Sequence, residues 1–168
     1  MRPSVALCLL TGLAACEEES LCERAAAVDD AGLVFGIGRE EFEAPIGDGE
    51  TLQQSYGSQG GTHLYLAVRS RGFGPGNRRA LAEDEDMPVF TVRLVDLDSG
   101  EQTEQWFSYE AMHGDEVEAE LALGEFFLPF GGYATEDEEE TASSYLLSLT
   151  GEDVCGTVYV DEQVVSIQ

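Results

Sequence analysis

Residues 57–72 read GSQGGTHLYLAVRSRG, from Gly57 to Gly72. Within this stretch Thr62 to Arg71 has the pattern of a strand: Leu64, Leu66 and Val68 fall on one face, and Tyr65 and Ala67 on the other. A strand covered on both faces belongs inside a sheet rather than at its edge. Gly60-Gly61 before it and Gly72-Phe73-Gly74-Pro75-Gly76-Asn77 after it are turn chemistry. The chain is therefore read outward from a central strand.

Upstream, Gly32 to Gly38 (GLVFGIG) reads as a first strand, and Thr51 to Tyr56 as a short one leading into the centre. The G-x-G there is followed by neither a helix nor a third glycine, so it is no phosphate loop. Downstream, Val89 to Leu97 is rich in β-branched and aromatic residues. The turn Asp98-Ser99-Gly100 then leads into Gln102 to Tyr109, with Trp106 and Phe107. Glu116 to Leu121 alternates strictly, and Phe126 to Phe130 is an apolar run that Pro129 marks as an edge or strand end. The chain closes with Ser144 to Thr150, a turn at Gly151-Glu152-Asp153, Cys155 to Val160 and Val164 to Ile167. No amphipathic helix of useful length appears; Ser20 to Asp30 makes a short helical turn or a linker. Short strands spaced by turn signals predict an all-β, antiparallel β-sandwich over 32–168. The closing stretch, from Tyr145-Leu146-Leu147-Ser148-Leu149 to Val164-Val165-Ser166-Ile167, resembles the last hairpin of bacterial immunoglobulin-like domains. The resemblance implies an immunoglobulin-like sandwich and no particular activity.

The 168 residues suit one domain, and 43% hydrophobic content supports a real core. There are 34 acidic residues against 8 basic ones, all Arg, for a formal net charge of −26. Such a surface repels phosphate backbones, so nucleic acid is excluded as a partner. It favours solubility first, and a divalent cation or a basic partner second.

Residues 1–15 read as a targeting segment, with Arg2 as the positive region and Val5 to Leu10 opening an apolar run too short to anchor in a bilayer. Its end, Leu13-Ala14-Ala15-Cys16, resembles the lipobox of bacterial lipoproteins. The resemblance implies cleavage before Cys16, acylation of that residue, and export to the cell envelope on a lipid anchor. Residues 16–31, opening with Glu17-Glu18-Glu19, would be an acidic spacer. In that family Asp directly after the Cys signals inner-membrane retention; Glu17 departs from it and favours the outer membrane. Of the four cysteines, Cys8 leaves with the signal and Cys16 takes lipid. The remaining exported pair, Cys22 and Cys155, is most simply a disulfide; no C-x-x-C or nearby His supports metal ligation.

Chemistry is sparse. The two histidines are His63 and His113. With Met112 or Met87 they would make a copper or zinc site only if the fold made them converge. Gly57-Ser58-Gln59-Gly60-Gly61-Thr62-His63 resembles a G-x-Q-G-G-x-H signature of myxobacterial-type lipoproteins. Physically, the glycine pair turns the backbone into the strand, and Gln59 and His63 are expected to bond main-chain groups there; a small ligand-binding corner is the alternative. Asp96-x-Asp98-x-Gly100 lacks the distal Glu of a calcium loop. Glu83 to Asp86 and Glu136 to Glu140 read as solvated acidic loops before cation sites. Arg69 and Arg71 are expected to pair with acids. No nucleophile elbow, H-E-x-x-H or base-served Ser or Cys is present, so neither an enzyme nor a cofactor is expected. The expected function is a lipid-anchored interaction or accessory domain with an envelope protein partner; the alternative is a metal- or small-ligand-binding protein.

Overall fold

The computed structural model describes residues 20–56, 61–75, 87–107, 112–114, 117–128 and 143–168. Cys16, Gln59, Gly60 and the acidic runs at 83–86 and 136–140 lie outside the described residues.

Among the described residues, eleven strands follow a short helix, α1 (Leu21–Ala26): β1 (Gly32–Ile37), β2 (Ala44–Pro45), β3 (Glu50–Leu52), β4 (Ser55–Tyr56), β5 (Thr62–Arg71), β6 (Val89–Asp96), β7 (Gln102–Phe107), β8 (His113–Gly114), β9 (Ala119–Leu128), β10 (Ser143–Glu152) and β11 (Val158–Ile167). They form two sheets packed as a sandwich. One sheet has the order β2-β1-β5-β9-β8, with β4 also on β5; the other has the order β3-β11-β10-β6-β7. The strand chosen as central in the sequence is central: β5 lies between β1 and β9.

The inward faces supply the core. Leu66 and Val68 of β5, Phe35 of β1, Phe126 of β9, Phe90, Val92 and Leu94 of β6, and Leu147 and Leu149 of β10 are completely buried. Each such side chain contributes about 1.5–3 kcal/mol through removal from water. Phe73, just past β5, stacks on Phe90 at 5.7 Å and closes one end.

Three local readings are corrected. Thr51–Tyr56 is not one strand: β3 and β4 belong to different sheets, and the chain crosses between them at Gln53-Gln54. The sandwich is not wholly antiparallel, because β3 runs parallel to β11. The last turn sits later than Gly151-Glu152-Asp153, since β10 runs on to Glu152. Gly151 is a strand glycine of close approach: a Cβ there would lie 2.3 Å from Leu33 Cδ1 and 3.0 Å from Phe90. The turn proper follows Asp153 and uses Gly156 at φ +75°.

Polar side chains lace the two sheets together. Phe35 N–H donates to Asp161 Oδ2 of β11 at 2.8 Å. Gln105 of β7 donates to Glu125 O at 3.0 Å and accepts from Phe127 N–H at 3.2 Å, both on β9. These bonds satisfy strand-edge groups that water would otherwise have to reach. At one end Cys22 of α1 is joined to Cys155 at 2.05 Å across a separation of 133 residues. Ser20 caps α1 with a full capping box to Glu23, and Ala25 is buried. From Ser20 onward, the expected spacer is thus part of the packed body.

Candidate functional site

His63 and His113 are held apart by register. His113 pairs with Glu120 of β9, Glu120 pairs with Arg69 of β5, and His63 stands six residues up β5 from Arg69. Six strand residues span about 20 Å. Met112 is buried near His113, with Ser70 Oγ at 3.5 Å from its sulfur. The set His63, Met112 and His113 is therefore not assembled, and no group of three or more His, Cys, Asp or Glu suited to a metal occurs among the described residues. Arg69 pairs with Glu118 at 3.8 Å and Glu120 at 3.3 Å, while its guanidinium lies 4.3 Å over the Phe42 ring. Arg71 has no such partner among the described residues.

His63 differs from its expected role. It is 1% exposed, and among the described residues neither ring nitrogen has a hydrogen-bond partner, nor does the neighbouring Thr62 hydroxyl. Instead of bonding main chain, the ring sits edge-on to Tyr65 at 4.8 Å and to Phe127 at 6.4 Å. Its Nε2 is 3.7 Å from Glu125 Oε1.

At the same end lies a cleft of 220 Å³, lined by Ile37, Arg39, Leu52, Gln53, Leu64 and Tyr65 among others. Arg39 lies over the Tyr65 ring at 4.9 Å. The lining carboxylates are engaged locally: Glu43 accepts from Arg39 N–H at 3.4 Å and Glu50 from Gly47 N–H at 2.7 Å. Ile37, Leu52 and Leu64 make the cleft's apolar floor, and Arg39, Thr51 and Gln53 stand among its polar lining.

The outer face of the five-stranded sheet carries several exposed apolar side chains. Register aligns residues on it in rows. Val160, Thr150, Thr91 and Trp106 lie side by side across β11, β10, β6 and β7. Val158, Glu152 and Val89 form the next row. On the other side a polar row, Glu162, Ser148, Arg93 and Glu104, is satisfied internally: Ser148 Oγ donates to Glu162 at 3.0 Å and Arg93 pairs with Glu104 at 2.9 Å. The Arg93 bond, with a second from Trp106 Nε1–H, holds the Glu104 carboxyl below its ordinary range. Beyond it run Val164, Leu146, Val95 and Gln102. Trp106 is 68% exposed, Val160 59% and Val158 54%. The sequence placed Trp106 on a strand, but only register on β6 shows which neighbours share its face. Comparison with known protein families, with curated proteins and with solved structures finds no significant match.

Proposed function

We propose that this chain is a lipid-anchored, non-catalytic docking domain of the cell envelope, which binds a basic partner protein through the outer face of the five-stranded sheet. The observation that carries the reading is the row of Val160, Thr150, Thr91 and Trp106, apolar at both ends and open to solvent. A large aromatic standing on a rigid strand is the kind of residue that anchors an interface, because it offers much area for little lost conformational freedom. The polar row beside it is already paired within the sheet and so demands no partner of its own. With a formal net charge of −26, a second copy or any acidic surface is repelled, and a basic surface is drawn in.

The address rests on the lipobox-like Leu13-Ala14-Ala15-Cys16 and on the disulfide, which suits an oxidising compartment. The immunoglobulin-like reading is supported by connectivity: β1-β5-β9-β8 follows the A-B-E-D order, and β11-β10-β6-β7 follows G-F-C-C′. Two departures stand against an antibody-type domain: β5 and β10 carry no cysteines, and β6 carries no tryptophan.

The test is photo-cross-linking in cells that make the protein, with a photoreactive amino acid at position 106 or at position 34. Val34 is 43% exposed on the opposite sheet. The expected result is an adduct from position 106 to a protein of basic charge, weakened by added salt, and none from position 34. Equal labelling from both positions, or none from 106, would overturn the docking reading.

A further inference from the structure

The second sheet offers a different chemistry, independent of the docking face. We propose that His63 Nε2 and the Glu125 carboxylate together bind a single divalent transition-metal ion of the zinc or copper class, with water completing its coordination.

The first observation is the unmet demand of the ring. A buried polar atom without a partner is costly, and His63 carries two atoms with none among the described residues, at 1% exposure. Elsewhere in the protein the buried Asp153 and Ser70 side chains are hydrogen-bonded. The second is distance. At 3.7 Å the Nε2 to Oε1 gap is too long for a hydrogen bond. Two metal–ligand bonds of about 2.1 Å bridge such a gap with a wide angle at the metal.

The third is how Glu125 comes to be there. The register of β5 on β9 pairs Leu66 with Gly124 but Ala67 with Ala122, leaving Leu123 as the extra residue of a bulge. Gly124 takes φ +90°, where a side chain would be strained. Without the extra residue, strict alternation from outward Ala122 would send Phe126 out and Glu125 into the core. With it, Phe126 is fully buried and Glu125 stands opposite Tyr65 on the outer face, beside His63. Tyr65 Oη donates to Glu125 Oε1 at 3.3 Å, an outer-shell bond that orients the carboxylate. The Tyr65 ring, edge-on at 4.8 Å, fixes the imidazole plane. The Glu125 side chain is 46% exposed, which gives an ion a way in, and the acidic surface concentrates cations around it. An imidazole ligand selects zinc or copper over calcium or magnesium, which take oxygen.

The many carboxylates bind any dication loosely, so the test is run on metal-stripped protein in excess Mg²⁺. Zn²⁺ is followed by calorimetry and Cu²⁺ by electron paramagnetic resonance. The wild type is expected to show one saturable site with a single nitrogen coupled to Cu²⁺. His113→Gln should leave it unchanged, Glu125→Gln should weaken it at least about tenfold, and His63→Gln should abolish it. Should His63→Gln fail to fold by circular dichroism, Glu125→Gln, at a half-exposed position, decides alone. No saturable site in the wild type, full affinity in Glu125→Gln, or loss in His113→Gln overturns the proposal. Trp106→Ala leaves the titration unchanged, so failure here and failure of the docking face are read separately.

Discussion

Asp153 is buried at the turn between β10 and β11 and accepts three backbone N–H groups: from Gly74 at 2.9 Å, Cys155 at 2.9 Å and Thr157 at 2.7 Å. One side chain thus ties the turn to itself and to the segment after β5. Removing it strands buried donors, so Asp153→Ala is expected to cost about 3 kcal/mol, read as a lower urea midpoint with unchanged slope. At the opposite end Asp96 accepts from Ser99 N–H and Asp98 N–H, both at 2.8 Å, and these bonds lower its pKa below the ordinary carboxylate range. A carboxyl whose folded pKa is depressed adds stability above its unfolded value and loses it as pH falls through the folded one. The melting-temperature gap between wild type and Asp96→Ala should therefore be full at neutral pH. It should begin to close as pH drops below about 4, which thermal melts over a pH series would show. The sequence marked Asp98-Ser99-Gly100 as a turn because turn residues signal locally. It gave no sign that Asp153 is buried or that His63 lacks partners, since both depend on segments brought in from far along the chain.

Among the elements, long strands with regular alternation were legible, and short ones were not. β5, β6 and β10 emerge where expected, because ten- and eight-residue stretches carry enough period to be read, whereas β11 runs unbroken over Val158–Ile167 where two pieces, Cys155 to Val160 and Val164 to Ile167, were expected. β2, β4 and β8, of two residues each, carry none and exist only through their partners. β9 begins at Ala119, later than the alternation from Glu116 suggested, with a bend at Val117-Glu118. The same limit hid Phe42, which lies in an acidic, turn-rich stretch yet is buried over Gly36, where an added Cβ would meet its ring at 2.3 Å. The helix is legible only as a possibility, and its place is decided by Cys22. Because the disulfide closes a loop of 133 residues, Cys22→Ser paired with Cys155→Ser is expected to lower stability. Loop-closure entropy puts the loss at roughly 4–5 kcal/mol, less whatever contacts of Ala25 persist. Chemical denaturation of the double variant against the wild type measures it.

For the molecule as a whole, the two-layer architecture could be foreseen because alternation and turn spacing suffice to specify a sandwich. His63 could be named as a candidate ligand, but the neighbours that make each site could not, because both are set by register: Trp106 gains its neighbours from β6, and His63 gains Glu125 from a one-residue bulge. The proposed address has a direct check. Cys16→Ser should move the protein from the membrane fraction to the soluble envelope fraction, and unchanged fractionation would refute acylation at that residue.

The α1 clasp sets a leash. Cys22 stands six positions after Cys16, with five residues between them, and a fully stretched chain reaches about 3.3–3.6 Å per position. Acyl chains on Cys16 would then keep the Cys155 corner within roughly 20 Å of the bilayer. That corner neighbours Val158 and Val89, so a docked protein would have to lie close to the lipid surface, while His63 lies at the far end of β5. A flexible insert between Cys16 and Ser20 would lengthen the reach and free the docking face from this stand-off.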